Sequence, residues 1–203
     1  MNEILFFKGT PATFAIMTAI LICSCAGFYH KVFFSKLILH PYSIVRQKEY
    51  YRLFTSDLVH VDFMHLLLNE LMLYLICGSL EEHLKIGSAH GSWQFLFIYA
   101  CSLFSGVVVT TLRHRKQFDY SGAGASGSLM GCMMSFMILK PNYIAFYLPV
   151  IGGVKNTWTA IIFIVILIWY QQQRKNRLFN HELHFWGAIG GIAATFILFP
   201  GVL

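Results

Sequence analysis

Charged side chains are scarce in this sequence. Only 12% of its 203 residues are Asp, Glu, Lys or Arg, whereas soluble domains carry about 25%. Hydrophobic residues make up 57% of the chain, and its mean hydropathy is +0.61. With so few charges the chain is poorly suited to a water-facing surface. The composition therefore predicts a polytopic membrane protein, whose spanning segments satisfy their own backbone hydrogen bonds.

Long runs of alternating apolar and polar residues are also missing, so we expect the spans to be helices. The sequence shows no internal repeat and no low-complexity linker, which predicts a single domain over residues 1–203. The expected fold class is all-α, a polytopic bundle of six transmembrane helices. The expected spans are residues 11–29, 61–80, 92–112, 126–139, 156–170 and 184–199, with an alternative start of the fifth span at Ile144.

The five cysteines have no zinc-type spacing, and Cys23-x-Cys25 is too close for an ordinary two-ligand knuckle. We expect them to be small packing residues and expect no metal and no cofactor. The formal net charge is +6, but the bases lie in short loops and form no continuous basic domain. The lipid bilayer with its anionic head groups is therefore the expected partner, and nucleic acid is not.

The segments at the start of the chain are expected to stay with the membrane domain. The first span lacks an Ala-x-Ala-like cleavage site and many spans follow it, so we expect it to be retained and not removed as a signal peptide. Residues 30–60 interleave aromatic and basic side chains and are broken by Pro41. Such a segment is typical of an interfacial first loop.

A run of small residues ends at Ser126, just before the apolar run 129–139. If the apolar run is helical, Ser126 lies in the first turn, where backbone N–H groups lack intrahelical partners. Those donors and the helix dipole would stabilise an oxyanion beside the hydroxyl. Small residues also let membrane helices pack closely, and Gly124-Ala125-Ser126-Gly127 alone is more typical of that role.

Polar residues also occur in two other spans, where such side chains usually face the bundle interior or a wet cavity. His65 and Asn69 are four positions apart and share one helix face, although either one alone is more typical of helix–helix hydrogen bonding. His184 shares its face with Gly187 and Gly191, and a glycine face allows a neighbouring helix to come close.

These features together predict a serine hydrolase site. Ser126 would be the nucleophile and His184 its general base, because imidazole has a pKa near neutrality. His181 competes for the base role but lacks the glycine face at the same offsets. The Ser126 N–H, His65 and Asn69 would supply oxyanion donors. No carboxylate stands at an obvious spacing to orient the histidine, so we expect a dyad.

In their order along the chain, these features resemble the rhomboid family of intramembrane serine proteases. The motifs that carry the resemblance are Tyr51-Arg52-Leu-Phe-Thr, His60, His65-Leu-Leu-Leu-Asn69, Gly78 with Glu81 and Gly87, Gly124-Ala-Ser126-Gly127, and His184-x-x-Gly187-x-x-x-Gly191. The resemblance implies a rhomboid-like six-helix bundle that cleaves transmembrane segments of other proteins, favouring small residues and helices that unwind readily. It also implies a multi-pass protein of a bacterial inner membrane that works without metal or cofactor.

The sequence departs from the family pattern at four positions. Tyr51 stands where rhomboids typically have tryptophan, and Met130 stands where many have an aromatic residue against the histidine. Leu183 precedes the histidine where a small residue is common, and Glu70 lies unexpectedly in an apolar span. These departures leave the expected catalytic residues intact but bear on turnover and substrate preference.

Orientation is the point on which the family and the charges disagree. The resemblance implies a cytosolic amino terminus and a site that opens to the opposite face. However, loops on the side of the site hold 11 of the 15 Lys and Arg residues, and the positive-inside rule then predicts the reverse. We take the family orientation as the expectation, because the first loop is expected to be embedded at the interface.

Two other functions remain open from the residues alone. The first is a catalytically inactive rhomboid-like protein that binds transmembrane clients without cutting them. The second is a small transporter or metal carrier, for which only His181-x-x-His184 resembles a ligand pair among nine dispersed histidines. The inactive branches generally lose the serine or the histidine, whereas this chain has both.

Overall fold

Helices dominate the architecture, as the composition predicted. The computed structural model describes residues 9–150, 152–173 and 181–202. In chain order the elements are α1 (Pro11–Tyr29), α2 (Lys31–Leu37), α3 (Pro41–Arg46), α4 (Arg52–Thr55), α5 (Phe63–Met72), a π-helical segment (Leu73–Gly78), α6 (Ser79–Gly87), α7 (Gly91–His114), α8 (Ser126–Leu139), β1 (Ile144–Leu148), β2 (Gly152–Lys155), α9 (Asn156–Gln173) and α10 (His181–Leu198). Arg174, Lys175 and Arg177 are three of the 11 basic residues counted on the side of the site, and they lie outside the described residues.

Within the described parts of the chain, three helices are long and apolar enough to cross a bilayer. They are Pro11–Tyr29, the continuous helix Phe63–Gly87 and Gly91–His114. The remaining apolar helices are shorter, so the expected total of six spans stays a prediction. Apolar side chains cover the outside of the bundle, as at Ile22 and Ile197, which are 63% and 68% exposed. An apolar exterior suits lipid, and the expected helical membrane bundle is confirmed.

The buried centre of the bundle lies where α10 packs on α7 and α8, and α8 packs on the π-helical segment. Its largest fully buried side chains are aromatic and aliphatic, among them Phe95, Phe136, Leu73, Ile76 and Leu129. A smaller cluster of Leu39, Ile44 and Val107 joins the first loop to α7. The site described below lies between these two clusters, and their close packing keeps it rigid.

Arg52 holds the first loop in place. Its Nη1 donates to the carbonyl oxygens of Ser35 at 2.8 Å and Ile38 at 2.9 Å, and its Nε lies 2.6 Å from a Glu49 carboxylate oxygen. Both carbonyls belong to the α2 region, where α2 ends and its last carbonyls lack intrahelical partners. Arg52 therefore closes the loop as a structural residue and is 94% buried in doing so.

Glu81 is a charged residue of the family motif, and it is completely buried. Its carboxylate accepts hydrogen bonds from the N–H groups of Ala12 at 3.1 Å and Thr13 at 2.8 Å, and from the Ser92 hydroxyl at 2.6 Å. The first turn of a helix has free donors and a positive dipole end, so a distant carboxylate can cap it.

Strands Ile144–Leu148 and Gly152–Lys155 pair in an antiparallel manner, so the alternative start of the fifth span at Ile144 is wrong. The register pairs Phe146 with Val154 and Leu148 with Gly152, with an irregularity next to Ile144. Gly152 has a φ of +87°, a left-handed conformation that glycine adopts without a steric penalty. The helix begins only after this turn, at Asn156.

We predict that Glu81→Gln destabilises the protein. The amide keeps the shape of the side chain but points a donor where the carboxylate accepts, so at least one hydrogen bond of a buried charged group is lost. Such bonds contribute about 1.5–3 kcal/mol. The thermal midpoint of unfolding in detergent micelles measures the effect. Glu82→Gln is the matched control, because Glu82 is exposed, and equal midpoints for the two variants would contradict the capping role.

Candidate active site

Ser126 is the first residue of α8, and the turn that precedes it is held from two sides. Gly122 and Leu39 exchange backbone hydrogen bonds of 2.8 and 3.0 Å, and the Gly124 N–H donates to the Ser56 carbonyl at 2.9 Å. Gly124 has a φ of +118°, and a Cβ there would lie 2.5 Å from Cε1 of His65. Glycine is therefore required at this turn for its conformation and for the close approach of the imidazole.

The hydroxyl of Ser126 meets the imidazole of His184. Its Oγ lies 2.6 Å from Nε2 of His184, within hydrogen-bond distance, although 58 residues separate them in the chain. Ser126 is only 4% exposed, whereas His184 is half-buried. The two residues on which the sequence-based hypothesis depends are thus adjacent in space. The competing base, His181, has a side chain outside the described part of the chain.

Glycine contacts bring α8 and α10 together behind this pair. A Cβ on Gly187 would collide with the carbonyl oxygen of Gly127, and a Cβ on Gly191 would collide with the carbonyl oxygen of Gly131. The two helix backbones therefore touch directly, as they do at small-residue contacts in membranes. One turn below the second contact, the Ser135 hydroxyl donates to the Gly191 carbonyl at 3.0 Å. This packing fixes the distance at which His184 stands from Ser126.

His65 and Asn69 occupy different positions relative to the pair. His65 lines the cavity that contains Ser126 and His184, and its backbone N–H is capped by the Asp62 side chain at 2.9 Å. Asn69 is completely buried, and its amide donates to the His65 carbonyl at 2.7 Å. The structure therefore brings His65 to the site, and Asn69 adjoins it through the backbone of the same helix. Their roles as oxyanion donors remain predictions.

His60 supports the turn from below through a chain of hydrogen bonds. Burial lowers the pKa of His60 well below its ordinary value, and the nearby His65 adds to this effect, so the ring is neutral. The Ala125 N–H points at Nε2 from 3.4 Å, and Nδ1 lies 3.0 Å from the Ser24 hydroxyl. A neutral ring that accepts at Nε2 carries its proton on Nδ1, so it donates to Ser24, which donates to the Leu58 carbonyl at 3.1 Å.

A cavity of about 430 Å³, including its open mouth, leads to the Ser126 hydroxyl. Its walls combine apolar and polar side chains. The apolar lining residues are Leu39, Leu103, Val107 and Leu183, and the polar ones near the pair are Ser56, Asp57, His65 and Ser128. The cavity therefore opens beside the Ser126 hydroxyl between apolar and polar side chains.

Asp57 and Ser128 are site residues that the sequence reasoning missed. One oxygen of Asp57 accepts from the Ser128 hydroxyl at 2.8 Å and the other from the Tyr99 hydroxyl at 2.5 Å. Burial raises the pKa of Asp57 to about 6, and the two hydroxyl donors act in the opposite direction. An acidic residue four positions before the predicted second span was the available signal, but its partners lie 42 and 71 residues away.

The departures from the family pattern have definite places in the structure. The Leu183 side chain lies against Gly127, and its carbonyl oxygen would be 2.9 Å from a Cβ on Gly106. It thus fills a space opened by glycine instead of crowding the pair. Met130 packs against the main core cluster. Tyr51 is 44% exposed and stacks under the Arg52 guanidinium at 5.5 Å, and Glu70 is half-buried.

Among the residues that the structure describes, no cluster of three or more His, Cys, Asp or Glu side chains is arranged to hold a metal ion. Glu182, next to the site in sequence, faces elsewhere. Its carboxylate lies 2.8 Å from Arg113 and 3.1 Å from the His114 ring. The cavity brings together the Ser126 hydroxyl, the His184 imidazole and the Asp57 carboxyl.

Comparison with known proteins gives one consistent family. The sequence model of the rhomboid domain family matches residues 47–201, and this range includes every site residue named above except Leu39 and Ser24. The rhomboid protease GluP of Bacillus subtilis is 27% identical over 153 residues, which are 75% of this chain but only 27% of GluP. YdcA of the same organism, named as a candidate rhomboid protease, is 31% identical over 157 residues, covering 75% of this chain and 69% of YdcA.

We predict that Gly187→Ala separates the two helices that carry the pair. Alanine favours a helix over glycine by about 0.5–1 kcal/mol, but here its Cβ would strike the Gly127 carbonyl, and overpacking typically costs about 1–3 kcal/mol. The expected result is a lower thermal midpoint in detergent. Gly87→Ala is the control, since nothing lies within 4 Å of a Cβ there. A Gly187→Ala midpoint at or above that of the control would refute the direct backbone contact.

We also predict a pH dependence from Asp57. Its folded-state pKa of about 6 exceeds the ordinary 3.8, so between these values the native state keeps a proton that the unfolded state has lost. Stability therefore falls as the pH rises through this window, by at most about 3 kcal/mol. Asp57→Asn removes the titration, so the wild-type midpoint minus the variant midpoint should decrease from pH 4 to pH 6. A constant difference would show that the carboxyl does not titrate there.

Proposed function

This chain belongs to the rhomboid family, and we propose that it is an intramembrane serine endopeptidase that hydrolyses peptide bonds in or near transmembrane segments of other proteins. One observation carries the proposal: Oγ of Ser126 and Nε2 of His184 are 2.6 Å apart, and both residues line one cavity. The chain covers 27% of GluP, so its activity, substrates and cellular membrane are proposals of our own. We place it in a bacterial inner membrane as a multi-pass protein.

The acylation step uses the Ser126–His184 pair. The hydroxyl donates to Nε2 of His184, which takes the proton as Oγ attacks the carbonyl carbon of the scissile bond. The carbonyl oxygen becomes an oxyanion, and the proposed donors to it are the Ser126 N–H, the His65 ring and the Asn69 amide. The Ser126 N–H is among the free donors of the first turn of α8. The imidazolium then gives its proton to the leaving amine, and the acyl-enzyme forms.

Deacylation repeats the same steps with water. Nε2 of His184 takes a proton from water, the hydroxide attacks the ester carbonyl, and Ser126 Oγ leaves with the proton returned from the imidazolium. The half-buried imidazole and the open mouth of the cavity support access for this water. The cycle needs no metal and no cofactor. The other polar contacts of the site join protein groups to one another and maintain the geometry of the site.

The cavity also supports a preference in substrate structure. A peptide carbonyl locked in a helix is covered by its own hydrogen bond and side chains, so the substrate segment has to unwind before Ser126 reaches it. Four aliphatic side chains line the cavity around the serine. The narrow space beside the hydroxyl favours a small residue at the bond that is cut. Transmembrane segments with small residues and weak helices are therefore the proposed substrates.

We predict that Ser126→Ala abolishes hydrolysis. In serine proteases, removing the nucleophile or the base lowers turnover by on the order of 10⁴-fold or more. The measurement is cleavage of a single-span substrate by purified protein in micelles or proteoliposomes, followed by mass spectrometry of the products. His184→Asn is expected to be equally inactive, since it removes the general base. Ser102→Ala is the matched control, because its buried hydroxyl bonds only to the Ile98 carbonyl of its own helix.

Labelling by a fluorophosphonate probe separates the remaining possibilities. Wild-type protein and Ser102→Ala should be labelled, whereas Ser126→Ala should not. Equal cleavage by wild type and Ser126→Ala would remove Ser126 as the nucleophile. A folded wild-type protein that neither cleaves nor labels would instead be an inactive family member that binds transmembrane clients, and the protease proposal would be abandoned.

A further inference from the structure

Residues 56–60 touch the start of α8 at three successive points. The Ser56 carbonyl accepts from the Gly124 N–H at 2.9 Å, and the His60 ring lies 3.4 Å from the Ala125 N–H. Between them, Asp57 accepts from the hydroxyl of Ser128, two residues beyond Ser126. Of these three contacts, only that of Asp57 is made to a residue within α8. The other two are made to the turn before the helix. This division points to a separate task for the carboxylate.

The carboxylate of Asp57 has both of its oxygens occupied. Ser128 on α8 donates to one and Tyr99 on α7 donates to the other. Asp57 and Tyr99 are 4% and 7% exposed, and Ser128 is fully buried. Hydrogen bonds to a charged acceptor are shorter and stronger than those between neutral groups. The side chain therefore joins the segment before the second span, the third long helix and the helix that begins with Ser126.

We propose that Asp57 is a positioning residue that, through Ser128, sets the rotation of α8 and so aims the Ser126 hydroxyl at His184. The inference rests on the proposed function. Residues two positions apart on a helix point in different directions, about 200° from each other. Holding Ser128 on one side therefore fixes the direction of Ser126 on the other. Glycine contacts set how far α8 stands from α10, and the Ser135 hydroxyl anchors α8 nine residues beyond Ser126. The Asp57 bond acts only two residues from the serine.

Asp57 lines the cavity, so the alternative to a positioning role is that its carboxylate contacts the substrate. The geometry favours positioning, because each oxygen already accepts a hydrogen bond from the protein. Stability also fails to explain a carboxylate here, since burying a charge costs free energy that an apolar residue would not. A misplacement of about 1 Å at a catalytic group can lower turnover by about a hundredfold. A hydrogen bond that limits rotation of α8 would thus act mainly on kcat.

The test compares Ser128→Ala, Tyr99→Phe and the control Ser102→Ala in purified protein. Ser128→Ala cuts the link to α8, and we expect kcat to fall about tenfold to a hundredfold with KM within twofold of wild type. The rate of fluorophosphonate labelling at Ser126 should fall in parallel. Tyr99→Phe leaves the bond to Ser128 in place and should reduce kcat less, and Ser102→Ala should match wild type. Asp57→Asn keeps an oxygen for Ser128 and should retain more activity than Asp57→Ala.

The outcomes distinguish this inference from the proposed function. A Ser128→Ala protein with wild-type kcat and labelling rate but a lower thermal midpoint would make the contact merely structural and overturn the inference. A raised KM with unchanged kcat would assign Asp57 to substrate binding and overturn it as well. Wild-type protein that fails to cleave contradicts the proposed function, whereas the labelling rate still reports whether Ser128 aims the hydroxyl. Should Asp57→Ala not fold, Ser128→Ala and Asp57→Asn decide the result.

Discussion

The direct backbone contact between α8 and α10 is the constraint on which the site depends. Gly127 meets Gly187 and Gly131 meets Gly191 without intervening side chains. A Cβ on Gly187 or Gly191 would collide with a carbonyl oxygen of α8, so the helices would have to move apart. Because membrane helices gain little from hydrophobic burial against each other, such close packing supplies much of their attraction. The 2.6 Å separation of Ser126 and His184 follows from this contact.

Buried polar groups give the bundle its specificity around that contact. Glu81 caps α1 and also accepts a hydrogen bond from Ser92 of α7. Arg52 closes the first loop, and Asp57 joins α7 to α8. Each of these charges is satisfied by named donors or acceptors, as burial requires. Their partners come from distant parts of the chain. The polar residues therefore determine which helices are neighbours, while apolar packing determines how tightly they pack.

Membership of the rhomboid family and the local geometry support one another at the level of function. The family model covers residues 47–201, and within that range the serine, the histidine and the glycine faces form a single site. The unusual residues modify its surroundings. Leu183 occupies space left by Gly106 and Gly127, and Met130 belongs to the core. Leu183 also lines the cavity beside Ser126 and His184.

The first loop and the hairpin show how far local patterns reach. Aromatic and basic residues in 30–60 predicted a segment distinct from the spans, and the structure has short helices there. The apolar composition of residues 144–154, by contrast, suggested an extended fifth helix and was misleading. An apolar run does not distinguish a strand from a helix, and here Gly152 and Gly153 favour the turn.

The sequence by itself determined the membrane class, the helical fold, the family and the pair Ser126 and His184 as candidates, because composition, helical period and motif order are local properties of the chain. Tertiary structure alone decided that Glu81 is buried, that residues 144–155 turn back as a hairpin and that Asp57 binds Ser128. The contacts of Glu81 and Asp57 join groups 68 and 71 residues apart, which meet only when helices pack. The hairpin pairs neighbouring strands, which an apolar run does not distinguish from a helix. Periodicity shows which face of a helix is buried, but only packing determines which side chain lies opposite.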